Sequence, residues 1–209
     1  MIPWLELLAG PWAVALASGA ALAAAVEGDR KELNVKVVFC GPSAGVAERV
    51  LRALHGALNA DAREPLEAVT LEDGSQAIAC SFTPPSRGSG ASALRFHLYA
   101  ASAGLGGLEP LLKGADAIVF SAEGGNKGAK DAAEALHEVQ GALRSQGRLG
   151  VPFVCLVEHG EGTEKIDEAE LRTMWGLATE PIVDTGAVDA FKAVMHQVSA
   201  GLRGRVTED

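Results

Sequence analysis

One stretch constrains the fold more than any other. Val35-Lys36-Val37-Val38-Phe39-Cys40 is β-branched and apolar, and Gly41-Pro42-Ser43-Ala44-Gly45 breaks it at once. An apolar run without strict alternation suits a strand buried on both faces, which is the habit of a parallel sheet. A helical pattern follows, with Val46, Val50, Leu51, Leu54 and Leu58 on one face. A buried strand feeding a helix needs a second helix layer on the opposite face of the sheet.

The rest of the chain repeats that alternation. Strands are expected at about 66–72 and 76–83, with Glu72-Asp73-Gly74-Ser75 as the hairpin turn between them. Residues 84–92 are rich in Pro, Gly and Ser and read as a loop. Leu94 to Tyr99 alternates like a strand, Ala103 to Gly107 reads as a loop, and a short helix runs to about 113. Ala115 to Phe120 is a buried strand, and Lys130 to Ser145 a helix with Ala133, Leu136, Val139, Gln140 and Leu143 near one face. Val151 to Val157 is the next strand, and Asp167 caps a helix to Trp175. Ile182-Val183 is a short strand, and Ala187 to Leu202 the last helix. The expectation is an α/β domain over residues 34–202, mostly parallel, with one antiparallel edge and helices on both faces. A polar tail, 203–209, follows.

The segment before residue 34 differs in character. Leu7 to Val26 is twenty residues without a charge, flanked by Glu6 and Glu27. That length can span a bilayer. Ala and Gly dominate it, Pro11 interrupts it, and no Lys or Arg precedes it as a signal peptide requires. Three readings stand: an Ala-rich helix packed on the domain or a partner, a membrane anchor through residues 1–26, and a cleaved signal. Arg30, Lys31 and Lys36 follow the segment, so a spanning segment would leave the domain in the cytoplasm.

Charge and cysteine usage narrow the classes. The net charge of −9 argues against nucleic acid as a partner. Cys40, Cys80 and Cys155 lie in or beside apolar runs, with no CxxC or Cys/His spacing. They read as buried reduced thiols in a cytoplasmic protein, and no zinc is expected. His55, His97, His137, His159 and His196 form no HxxxH or HExxH pair.

The order strand, glycine turn, helix, hairpin, then three strand–helix units resembles the Ras-like small GTPases. Three strings resemble the bacterial gliding-motility members, the MglA type. They are Lys36-Val37-Val38-Phe39-Cys40-Gly41-Pro42, Arg95-Phe96-His97-Leu98-Tyr99, and Lys113 to Phe120. The resemblance implies a P-loop NTPase fold over about residues 34–202, with roadblock-type regulators or motility machinery as partners.

Read against that family, the nucleotide motifs are degenerate. A phosphate loop needs GxxxxGK[ST], in which backbone N–H groups and the Lys hold phosphates and the hydroxyl holds Mg²⁺. Gly41 fits the first glycine, with Pro42 and Ser43 after it. Without a gap, the second glycine falls on Val46, the Lys on Ala47 and the hydroxyl on Glu48. A shift of one puts the second glycine on Gly45, and Val46 and Ala47 where Lys and the hydroxyl belong. A Glu48 carboxylate ~5 Å from a phosphate would cost roughly 3 kcal/mol at an effective dielectric near 20. Glu48 reads either as an internal substitute for the anion, in the first helical turn, or as a surface helix residue. The loop matching the second switch, Ala100 to Gly104, has no carboxylate for Mg²⁺ and no Gln; Ser102, Gly104 and Gly106 belong to a switch-like partner loop. The guanine-reading NKxD falls on Glu158-His159-Gly160-Glu161, and the last base-contacting loop on Asp184-Thr185-Gly186. Gly124-Gly125-Asn126-Lys127-Gly128 reads as a plain strand-to-helix connection.

The resulting expectation is a pseudo-GTPase: no catalytic residue, no metal, no cofactor, and a role as adaptor or scaffold for motility or polarity proteins. Partners would dock on the loops at 84–92 and 100–107 or through the N-terminal segment. The alternatives are a divergent switch that binds GTP and Mg²⁺, completed by a partner residue, and a membrane-tethered adaptor.

Overall fold

The computed structural model describes residues 33–71, 73–84, 94–101, 108–160 and 162–206. The expected N-terminal helix, most of the 84–92 loop, the switch-like residues Ser102, Gly104 and Gly106, and Glu161 lie outside the described residues.

Strand β1, Leu33–Cys40, runs the length of the apolar stretch and begins two residues before it. Val35, Val37 and Phe39 point to one face and Val38 and Cys40 to the other, and all five are buried. That double burial explains the lack of polar alternation. β2 (Glu67–Thr70), β3 (Gln76–Phe82) and β4 (Leu94–Ala101) follow. β5 (Ala117–Glu123), β6 (Phe153–Glu158) and β7 (Ile182–Val183) complete a seven-stranded sheet in the order β2-β3-β4-β1-β5-β6-β7. β4, β1, β5, β6 and β7 are parallel, and the β2–β3 hairpin adds the antiparallel edge against β4. In its turn, Asp73 accepts bonds from the Ser75 N–H at 3.0 Å and its hydroxyl at 2.6 Å. Those two bonds hold the Asp73 carboxyl below its ordinary pKa.

Helices cover both faces. α1 (Ala44–Ala57) and α5 (Ala187–Val206) pack one face, where Val50, Leu51, Leu54, Val194 and Met195 meet Val37, Phe39, Leu98 and Val119. Phe82, Phe96 and Phe191 meet there with ring centroids 5.0–6.0 Å apart. α2 (Leu108–Leu112), α3 (Gly125–Ser145) and α4 (Glu168–Trp175) pack the other face. Asp167 caps α4 as expected, accepting from the Ala169 N–H at 3.2 Å. The buried Trp175 indole N–H donates to the Ala129 carbonyl at 2.8 Å, tying α4 to α3.

Several boundaries differ: β4 runs on to Ala101 and β6 spans Phe153–Glu158 rather than Val151 to Val157. α3 starts at Gly125 rather than Lys130, so only Gly124 of the expected connection stays outside the helix, as its N-cap. α5 continues past Leu202 to Val206. β5 starts at Ala117, because the Asp116 side chain leaves the strand to accept the Lys36 N–H at 2.8 Å, while its own N–H donates to the Lys36 carbonyl. Among the described residues no helix is long and apolar enough to cross a membrane.

Two predictions follow from the core. Trp175→Ala is expected to lower unfolding free energy by about 3–5 kcal/mol. Trp175→Phe keeps most of the packing and should cost about 1–2 kcal/mol, chiefly the lost hydrogen bond; urea titration of both variants checks the order. Burial pushes the Cys40 thiol up to about 12 and the Cys80 thiol to about 11, and raises Cys155 as well. Thiols that ionise more readily unfolded than folded make the native state lose stability as pH rises. The loss should begin near the ordinary thiol pKa of about 8.5 and continue towards 12. Cys→Ser variants should flatten that alkaline limb in denaturation curves taken across the range.

Candidate functional site

In an open α/β sheet the natural binding place is the crevice at the carboxyl ends of the strands, where consecutive helices switch faces. Here that point lies between β1, which leads into α1 on one face, and β5, which leads into α3 on the other. The expected phosphate loop, the Glu158-His159 stretch and Asp184 all sit at this end of the sheet.

The loop after β1 is short. Ser43 is the N-cap of α1, and the helix starts at Ala44, three residues after Gly41. A phosphate loop puts four residues between its two glycines before the helix carries on. In both alignments the second glycine, Lys and hydroxyl positions therefore lie inside α1. Val46 and Ala47 are each only 1% exposed and face the sheet, not the loop. Gly45 is exposed, with only the Arg49 guanidinium, at 3.8 Å, near the place a Cβ would occupy.

Gly41 has a different use. A Cβ there would lie 2.2 Å from the Ser121 carbonyl oxygen. The missing side chain lets the backbones of the β1–α1 loop and β5 lie against each other. Gly124 does the same one strand further on. Its N–H donates to the Glu158 carbonyl at 2.7 Å, and a Cβ would meet the His159 ring at 2.6 Å.

Glu48 requires a correction. α1 has no acidic residue in its first turn, and Glu48 sits in the second. Its carboxylate accepts from Arg52 Nε at 3.1 Å, an i,i+4 pair along the helix surface. That is the surface-helix reading, and the substitute-anion reading loses its geometry.

The carboxylates at this edge are held by the chain's own cations. Glu123 and Glu158 are register neighbours at the ends of β5 and β6, and like charges so placed repel. The Arg49 guanidinium reaches across from α1 to both, at 3.0 and 3.3 Å. Arg49 is 55% exposed, so each pair contributes only about 0–1 kcal/mol. Its consequence is occupancy: Glu158, which falls on the Asn position of the expected NKxD stretch, already carries a cation, while Glu161 at the Asp position lies outside the described residues. Asp184, from the last base-contacting stretch, is paired with Lys165. The Lys165 bond lowers the Asp184 pKa and raises that of Lys165.

Sequence reasoning placed Gly41, Glu158, His159 and Asp184 at one end of the sheet, and the structure gathers them there. It missed Arg49, Glu123 and Lys165. Nothing local marks these three, since their pairings join separate elements across 19 to 109 residues. Among the described residues no group of three or more His, Cys, Asp or Glu side chains is placed to hold a metal ion. No protein-family model matches the chain, and no curated protein matches it.

The two glycines of the first turn predict opposite outcomes. Gly41→Ala drives a methyl into the Ser121 backbone and should destabilise by about 1–3 kcal/mol or more. Gly45→Ala places a methyl on an exposed helical position and should stabilise by about 0.5–1 kcal/mol. Thermal melts of the two variants decide it; a destabilised Gly45→Ala would mean that the helix start is not as described.

Proposed function

We propose that this chain is a Ras-like GTPase-fold protein that has lost nucleotide chemistry and acts as a protein-binding module. The strand order, with the hairpin at one edge and β1 between β4 and β5, supports the Ras-like assignment. The observation that carries the loss is the early start of α1. It leaves three residues where phosphates would need a wrapped loop of backbone donors; of the Lys and hydroxyl positions, Val46 and Ala47 are buried, and Glu48 is paired with Arg52 along the helix surface. Arg49 on Glu158 and Lys165 on Asp184 support the same reading at the base-recognition end.

A fold kept without its reaction is suited to scaffolding, with the surface free to serve partners. The resemblance to the MglA type makes roadblock-type regulators and motility proteins the first partners to test. The deciding measurement is an equilibrium titration with a fluorescent GTP analogue at millimolar Mg²⁺. No saturable binding is expected below about 100 μM, a ceiling of roughly −5.5 kcal/mol. A dissociation constant in the low micromolar range would overturn the proposal in favour of a divergent nucleotide switch.

A further inference from the structure

A second recess lies at the other end of the sheet, beneath the starts of β5 and β6. It is a cleft of about 650 Å³ between the last turns of α3, the 149–152 loop, the 176–180 loop and α5. The volume is within the range of small-ligand sites. It is remote from the crevice described above, and nothing in the Ras-like reading assigns it a role.

Three properties of its lining point to one ligand chemistry. The first is apolar. Leu149 is 66% exposed, the one large hydrophobic side chain so exposed among the described residues, and it stands beside Val151 and Phe153 in the lining. A lone exposed Leu needs no explanation by itself; one at the rim of a cleft with an apolar wall offers a seat for an apolar side chain. The second is cationic. Arg144 lines the cleft, and its guanidinium makes no hydrogen bond or ion pair with any described residue. Arg49, Arg52, Arg95, Arg148 and Arg172 are all engaged. An open guanidinium fork is the group best matched to a carboxylate. The third is the pair of acceptors opposite. Asp116 and Glu180 also line the cleft, and each accepts backbone N–H groups through one carboxylate oxygen, Asp116 from Lys36 and Glu180 from Ala178 and Thr179. The second oxygen of each has no described partner and can accept an N–H.

We propose that this cleft binds an apolar side chain flanked by an N–H group and a terminal carboxylate, the chemistry of the last residue of a polypeptide or of a free N-acylated apolar amino acid. The carboxylate lies on Arg144, the side chain against Leu149 and Phe153, and the N–H towards Asp116 or Glu180. Capture of a chain terminus in this way is a recurring mode of peptide recognition. The site goes beyond the pseudo-GTPase reading and stands or falls independently of nucleotide binding.

The test uses the full chain and N-acetyl-L-leucine as probe, followed by methyl and amide chemical shifts. Saturable shifts of the Leu149, Val151 and Val198 signals are expected, with a dissociation constant of a few millimolar, as ligand efficiency allows for a molecule of this size. Arg144→Gln and N-acetyl-L-leucinamide, which lacks the carboxylate, should each weaken binding at least about tenfold, the loss of a charge-assisted bond. A tetrapeptide ending in leucine separates the two sources: tighter binding than the probe identifies a polypeptide terminus, and equal binding a free acid. Both altered side chains are exposed, so the variants should stay folded. Absence of a saturable shift overturns the proposal. So does a shift that survives unchanged in Arg144→Gln or in Leu149→Asp.

Discussion

The contact between Gly41 and the Ser121 backbone governs much of this molecule. β1 and β5 are adjacent parallel strands, and their C-terminal ends diverge into helices on opposite faces. In most sheets of this kind that divergence opens a crevice. Here the chain leaves β1 across the β5 backbone with no side chain between them and enters α1 within three residues. That path leaves three residues, Gly41 to Ser43, between the strand and the helix.

The ion pairs lie at the same edge. Arg49 and Lys165 are individually weak as stabilisers because water competes for them. Their placement matters more than their energy. Glu123 and Glu158 are brought side by side by the register of β5 and β6, and a guanidinium from the helix above offsets the repulsion. One of the two negative charges is thereby offset. The opposite end of the sheet shows the reverse situation. Arg144 stands open there, and the carboxylates are turned to backbone N–H groups. Among the described residues, Glu123, Glu158 and Asp184 are paired with cations at one end, and the Arg144 guanidinium has no such partner at the other.

Much of the fold was legible in the sequence because burial leaves a period. β1, β5 and β6 are apolar on both faces and were visible as unbroken runs; α4 was visible through its Asp167 cap, and the hairpin through Asp73-Gly74-Ser75. The start of α3 was misplaced because Gly125 and Gly128 read as breakers. Gly125 opens the helix at φ +82°, a left-handed conformation that favours glycine, and Gly128 lies against the Glu123 backbone, where a Cβ would come within 2.2 Å of the carbonyl oxygen. The two readings of Glu48 stay open in the sequence for a related reason. The distance of Glu48 from the helix start could not be fixed without knowing that Ser43 is the cap.

By itself the sequence determined the chemistry that is missing. No cation or hydroxyl stands where a phosphate loop would need one, under either of the two alignments of residues 41 to 48, and that follows from residue types alone. Only the tertiary structure decided which groups meet at this edge of the sheet. Arg49 meets Glu158 across 109 residues of chain, and Gly41 meets Ser121 across a strand boundary. Such meetings depend on strand order and register, which arise from packing both faces of the sheet at once and leave no local trace in the order of amino acids.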